Sequence, residues 1–340
     1  MSLWACRFSF VWIIVSLNWD REEMQAEQQI GLPDNIAVFL NVRSLVDFEN
    51  AQIVPGHFAR RATDDEINKI RTGLNRLAGE YRRHVVSLWE WRWDDNHTQT
   101  VRLERNEWRY FVIAFRGDNG TVNDLSLASN ISTLGPDIGP ILMYGEWNSF
   151  LHNPVSFFQS TEHTSQKGES AFVDLTLDGL QELSSIWSKL TADRENPVWQ
   201  TVNQLHHLKG LPAYSAMKFL GYFAVLESLL THMPDPSDPY DAITRQVKKK
   251  MTLLNNRFDR PLDYAAFGNT PPETIWAKLY RYRSLIAHGV IGRGNQQKFE
   301  GELAALRGHD MAFDLVSAAV KAVARQSLLE PKLLTDLRDC

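Results

Sequence analysis

The spacing of apolar residues changes once along this chain, and the change divides its 340 residues into two kinds of structure. Before about residue 165, short apolar runs alternate with polar residues, as at 85–93, which is typical of strands. From about residue 172, apolar residues recur every three or four positions, which is typical of helices. We therefore predict an α+β protein. A mixed domain with an antiparallel sheet spans residues 24–165, and an all-α helical bundle spans residues 172–332.

One strong helix signal falls inside the first domain, at residues 63–84. Thr63 followed by Glu66 matches a capping box, in which each side chain bonds the other residue's backbone N–H. The residues after it repeat at helical spacing, with apolar side chains at Ile67, Ile70, Leu74 and Leu77. We expect this domain to have a sensing or regulatory role.

An N-terminal extension, residues 1–23, contains the apolar run FSFVWIIVSLNW at residues 8–19. Twelve residues are short for a membrane span, which needs about 20. We expect a strand or an irregular extension and no membrane partner; the alternative is a membrane or targeting segment. The two cysteines, Cys6 and Cys340, cannot build a disulfide framework or a cysteine metal site, which favours a reducing compartment such as the cytoplasm.

Charge is divided unevenly along the chain. Residues 1–200 carry 18 Lys and Arg against 27 Asp and Glu, whereas residues 201–340 carry 18 against 14. A positive C-terminal half favours contact with an anion, although an unevenly charged solvated surface explains the same counts.

The stretch YRYRSLIAHG, residues 280–289, places Arg283 five residues before His288 on an otherwise apolar helix. Five residues advance a helix by about 7.5 Å and turn it by about 140°. One chain therefore does not aim both side chains at one point unless the helix opens at Gly289. A buried ion pair at Arg283 and a helix-end histidine at His288 would account for the pattern without any catalysis.

This motif, preceded by the helix FLGYFAVLESLL at residues 219–230, resembles the HEPN superfamily and, more narrowly, its Apea-like branch. The resemblance covers residues 175–330 and rests mainly on 213–232 and 276–289. It implies an all-α bundle that dimerises and acts as a metal-independent endoribonuclease, with no cofactor, in a toxin or anti-phage defence setting. RNA is then the substrate, a second copy is the main partner, and a regulatory protein or antitoxin is a further partner.

Carried onto this chain, the resemblance makes Arg283 and His288 the catalytic pair and puts Ser284 at the polar position after the arginine. Those residue types suit RNA cleavage without a metal. Histidine exchanges protons near neutral pH, and arginine stays charged and binds phosphate oxygens with a planar fork. The expected products are a 2′,3′-cyclic phosphate and a 5′-hydroxyl.

Four further residues are candidates for supporting the site or binding RNA. Glu227 falls on an apolar helix face, where a carboxylate needs a partner, and Arg283 or Arg281 is the candidate. Arg281 itself fits either a phosphate contact or plain solvent exposure. Arg293 and Lys298 lie in or beside a glycine-rich loop after the motif, where they fit RNA backbone contacts or a mobile surface loop. The alternative function is a non-catalytic HEPN module for dimerisation or RNA binding.

Overall fold

The computed structural model describes residues 35–78, 89–94, 97–117, 119–143, 150–151, 172–233, 242–289 and 309–338. The predicted extension at residues 1–23 lies outside these ranges.

The N-terminal part supplies nearly all of the strands. In chain order they are β1 (Asn35–Phe39), β2 (Val42–Val46), β3 (Asn50–Val54), β4 (His57–Arg61), β5 (Trp89–Asp94), β6 (His97–Arg102), β7 (Phe111–Phe115), β8 (Ile138–Met143), β9 (Phe150–Leu151) and β10 (Val173–Thr176). Six of them form an antiparallel sheet in the order β3-β4-β7-β1-β8-β9. β5 and β6 form an antiparallel hairpin, and β10 pairs in parallel with β2.

The helices begin with two in the N-terminal part and then follow one another to the C-terminus. They are α1 (Asp64–Ala78), α2 (Gly120–Ser129), α3 (Leu177–Ala192), α4 (Pro197–His207), α5 (Ala216–Leu230), α6 (Ile243–Asn255), α7 (Pro272–Ala287), α8 (His309–Leu329) and α9 (Pro331–Arg338). The prediction of an α+β fold with an antiparallel sheet is confirmed. No helix among the ranges given above combines the length and the apolar character that crossing a membrane requires.

The centre of the sheet is buried on both faces. Every residue of β1 and β7 is buried, and successive side chains point to opposite sides. One side packs on α1 through Ile67 and Ile70, and the other packs on α2 and the helices that follow β10. The predicted capping box starts α1: Thr63 N donates to Glu66 Oε2 at 2.8 Å, and Glu66 N donates to Thr63 Oγ1 at 3.3 Å.

Two elements arise where the sequence carries no clear signal. The β3–β4 hairpin lies at one edge of the sheet and consists of short, partly polar strands, so its apolar alternation is weak. Helix α2 lies in the Gly-, Asn- and Ser-rich stretch that follows residue 117, and it is stabilised by tertiary burial of Val122 and Leu125.

The segment that follows α2, residues 130–137, forms polar contacts with the C-terminal helical part. The Thr133 hydroxyl donates to Glu182 of α3 at 2.7 Å, and Lys209 pairs with Asp137 at 2.9 Å. One continuous apolar cluster also contains side chains of the sheet and of α3 to α8. The boundary between domains near residues 165–172 stays a prediction.

Candidate functional site

Helix α7 carries the Arg–His motif and ends at a glycine. His288 is its C-cap residue and donates its backbone N–H to Ser284 O at 3.0 Å. Gly289 then takes a φ of +64°, a left-handed conformation that glycine adopts without strain and that turns the chain out of the helix. This ending leaves His288 exposed to solvent, at the negative end of the helix dipole.

Arg283 is held in place by an ion pair with a residue of the neighbouring helix α5. Its Nη2 donates to Glu227 Oε2 at 2.8 Å, and the two side chains are 27% and 17% exposed. The carboxylate that the sequence placed on an apolar face therefore has Arg283 as its partner, whereas Arg281 is exposed. A quarter of the Arg283 side chain remains accessible, so the ion pair does not bury it completely.

Tyr280 is the third member of this group. Its ring is buried, and the Arg283 Cζ lies 5.6 Å from the ring centroid. Burial raises the pKa of the phenol, the negative charge of Glu227 raises it further, and Arg283 and a hydrogen bond with Thr244 act in the opposite direction. The sequence favours packing over catalysis for Tyr280, and the spacing of residues along α7 does not reveal that α5 and α6 meet at this ring.

The ion pair leaves two of its own polar atoms without partners. Arg283 Nε and Glu227 Oε1 are buried and form no well-aligned hydrogen bond within the part of the chain that the structure describes. The Tyr280 phenol lies close enough to the Glu227 carboxylate for the carboxylate to raise the pKa of the phenol.

Two of the remaining predicted site residues lie in the described part of α7, one exposed and the other hydrogen-bonded within the helix. Arg281 is exposed and lies seven residues, or about two turns, before His288, so the two share one stripe of α7. The Ser284 hydroxyl donates to Tyr280 O at 3.1 Å and is thereby tied to its own helix. Arg293 and Lys298 lie outside the described residues.

The chain matches no protein-family model, no curated protein and no solved structure. Within the described ranges, no group of three or more His, Cys, Asp or Glu side chains is placed to hold a metal ion. The candidate site consists of a part-exposed arginine held by an ion pair, Arg283, and an exposed histidine at the end of the same helix, His288.

Proposed function

We propose that this protein is a metal-independent endoribonuclease of the HEPN type, Apea-like branch, that cleaves RNA by attack of a 2′-hydroxyl. The observation that carries the proposal is the Glu227–Arg283 ion pair, which fixes a phosphate-binding group near the helix end that exposes His288. The α-helices that follow β10 agree with the bundle that this resemblance implies.

The chemistry assigns a role to each side chain. A histidine accepts the 2′-hydroxyl proton, the 2′-oxygen attacks phosphorus, and the bond to the 5′-oxygen breaks as that oxygen gains a proton. Arg283 stabilises the negative charge that builds up on the phosphorane. The products are a 2′,3′-cyclic phosphate and a 5′-hydroxyl, and in this mechanism side chains supply the proton transfers and the charge stabilisation without a metal or a cofactor.

A homodimer resolves the mismatch in direction between the two motif residues. Within one chain, Arg283 turns toward α5 whereas His288 lies about 140° around the helix and faces solvent. Two copies related by a two-fold axis bring two arginines and two histidines to one cleft. We propose that the site is completed in this way, with Ser284 and Glu227 as supporting residues.

The setting that fits this activity is a cytoplasmic toxin or anti-phage defence protein. An enzyme that cuts cellular RNA has to be restrained, and the sheet-containing N-terminal part is the candidate for sensing a trigger or binding a regulatory protein or antitoxin.

A non-catalytic HEPN module for dimerisation or RNA binding is the second candidate. The observation that favours it is the same ion pair, because Arg283 already has a partner inside its own chain. A binding module would retain RNA without cutting it.

Incubation of the purified full-length protein with end-labelled tRNA and mRNA in EDTA tests the proposal. We expect fragments that carry 2′,3′-cyclic phosphates and 5′-hydroxyls. Bound but intact RNA would instead support the binding module, and cleavage that stops in EDTA would exclude the metal-independent mechanism.

A further inference from the structure

Helices α6 and α7 and the segment between them form the most basic part of the described structure. Residues 243–289 contain nine Lys and Arg and three Asp and Glu, a net charge of +6 in a chain whose total is -5. Helix α6 contains no acidic residue at all.

Three of these cations lie on α6 and α7, which pack against each other, and each is exposed or half-buried. Thr244 contacts the Tyr280 phenol, which fixes the flank of α6 that faces α7. Lys248 lies one turn further along that flank and is half-buried, and Lys249 beside it is exposed. Arg281 directly follows Tyr280 and is exposed on the stripe that ends at His288.

None of the three cations is neutralised within the described part of the chain. Lys248, Lys249 and Arg281 form no salt bridge or side-chain hydrogen bond there, whereas Arg60 and Lys209, for example, pair with Glu66 and Asp137. Unpaired cations that lie close together repel one another, and that repulsion is relieved when a polyanion binds.

We propose that Lys248, Lys249 and Arg281 form a binding surface for the phosphodiester backbone of single-stranded RNA, and that this surface leads the strand to His288. Regularly spaced phosphates fit a row of unpaired cations, and the shared stripe of Arg281 and His288 connects the row to the motif. The inference deepens the proposed function and rests on it. It selects RNA over an acidic protein because the cations adjoin the residues proposed to act on a phosphodiester.

Fluorescence anisotropy with a labelled 2′-O-methyl oligouridylate tests this surface. The probe lacks the attacking hydroxyl, so its binding is measured whether or not the protein is a nuclease. The triple variant Lys248→Gln, Lys249→Gln, Arg281→Gln is compared with Arg116→Gln, Lys189→Gln, Lys332→Gln, which removes the same charge from exposed positions elsewhere.

We expect the first triple variant to raise Kd at least about tenfold at about 0.15 M salt, and to lower the slope of log Kd against log salt by about 2. The Kd of the control triple variant should stay within about twofold of the wild-type Kd at the same salt concentration. Circular dichroism of each variant verifies that it is folded.

Equal loss of binding in both triple variants, or wild-type binding in the first, would overturn the inference. So would stronger competition by poly-glutamate than by RNA, since it would indicate an acidic protein partner. Loss of binding by the first triple variant, together with an absence of RNA cleavage by the wild-type protein, would support the binding surface and reject the nuclease. The two proposals can therefore fail separately.

Discussion

Arg283 and Glu227 join α7 to α5 through one hydrogen-bonded ion pair, 2.8 Å long, whose two side chains are mostly but not fully buried. Such a pair is costly to break on one side, because the remaining charge is left without its partner. It also fixes the position of the guanidinium before any ligand arrives, and pre-positioning of this kind is a requirement for stabilising a transition state.

Replacement of Glu227 by Gln tests whether the carboxylate positions Arg283. The amide keeps the shape and one acceptor but loses the charge, so we expect unfolding free energy to fall by roughly 1 kcal/mol and RNA cleavage to slow about tenfold. Urea unfolding and initial cleavage rates measure both effects. The control, Asp174→Asn, removes the carboxylate of the exposed Arg43 pair and should leave cleavage unchanged. Wild-type cleavage by Glu227→Gln would contradict the positioning role.

Replacement of Arg283 by Lys keeps the positive charge and removes the planar fork. We expect cleavage to fall at least about 100-fold while the protein stays folded, because an ammonium cannot bind Glu227 and a phosphate with the same geometry. Arg194→Lys, at an arginine paired with Asp124, is the matched control. Equal rates for the two lysine variants would show that the fork has no role in the reaction.

Removal of the Tyr280 hydroxyl tests a positioning role that the sequence does not predict. In Tyr280→Phe the ring still lies beneath Arg283, but the contacts with Glu227 and Thr244 are lost. We expect kcat to fall about 2–10-fold, the equivalent of one hydrogen bond, with KM unchanged. A change in KM alone, or a loss of stability that accounts for the whole decrease, would assign Tyr280 to packing.

His206 makes stability depend on pH at the junction of α2 and α4. Burial lowers its pKa to about 4, and the positive charges of Lys209 and His207 act in the same direction. A neutral ring accepts the hydrogen of Asn130 Nδ2, which lies 2.8 Å from His206 Nδ1. The unfolded chain binds this proton at the ordinary pKa of 6.5, so stability falls as pH drops from 6.5 to about 4.

His206→Gln removes the titrating group and keeps an acceptor for Asn130. We expect the difference in unfolding free energy between wild type and variant to change by roughly 3 kcal/mol between pH 7 and pH 4. Urea unfolding at several pH values measures this difference. Parallel curves for the two proteins across that range would refute the prediction.

Local signals predicted the parts of the fold that depend on neighbours in sequence. The Thr63–Glu66 box lies within four consecutive residues, and a carboxylate on the apolar face around Glu227 required a partner whichever helix supplied it. The choice of Arg283 over Arg281 depends on how α7 is rotated against α5, and many distant contacts set that rotation. The contacts of Tyr280 could not be predicted from the sequence for the same reason, because three helices meet at its ring.

Cleavage of labelled tRNA in EDTA by wild type, His288→Ala and His207→Ala tests whether His288 is a catalytic residue. His207 is also exposed at a helix C-terminus, so its variant controls for the loss of such a histidine. We expect wild type and His207→Ala to cut RNA at similar rates and His288→Ala to be at least about 100-fold slower. Cleavage by His288→Ala at the wild-type rate would contradict a catalytic role for His288.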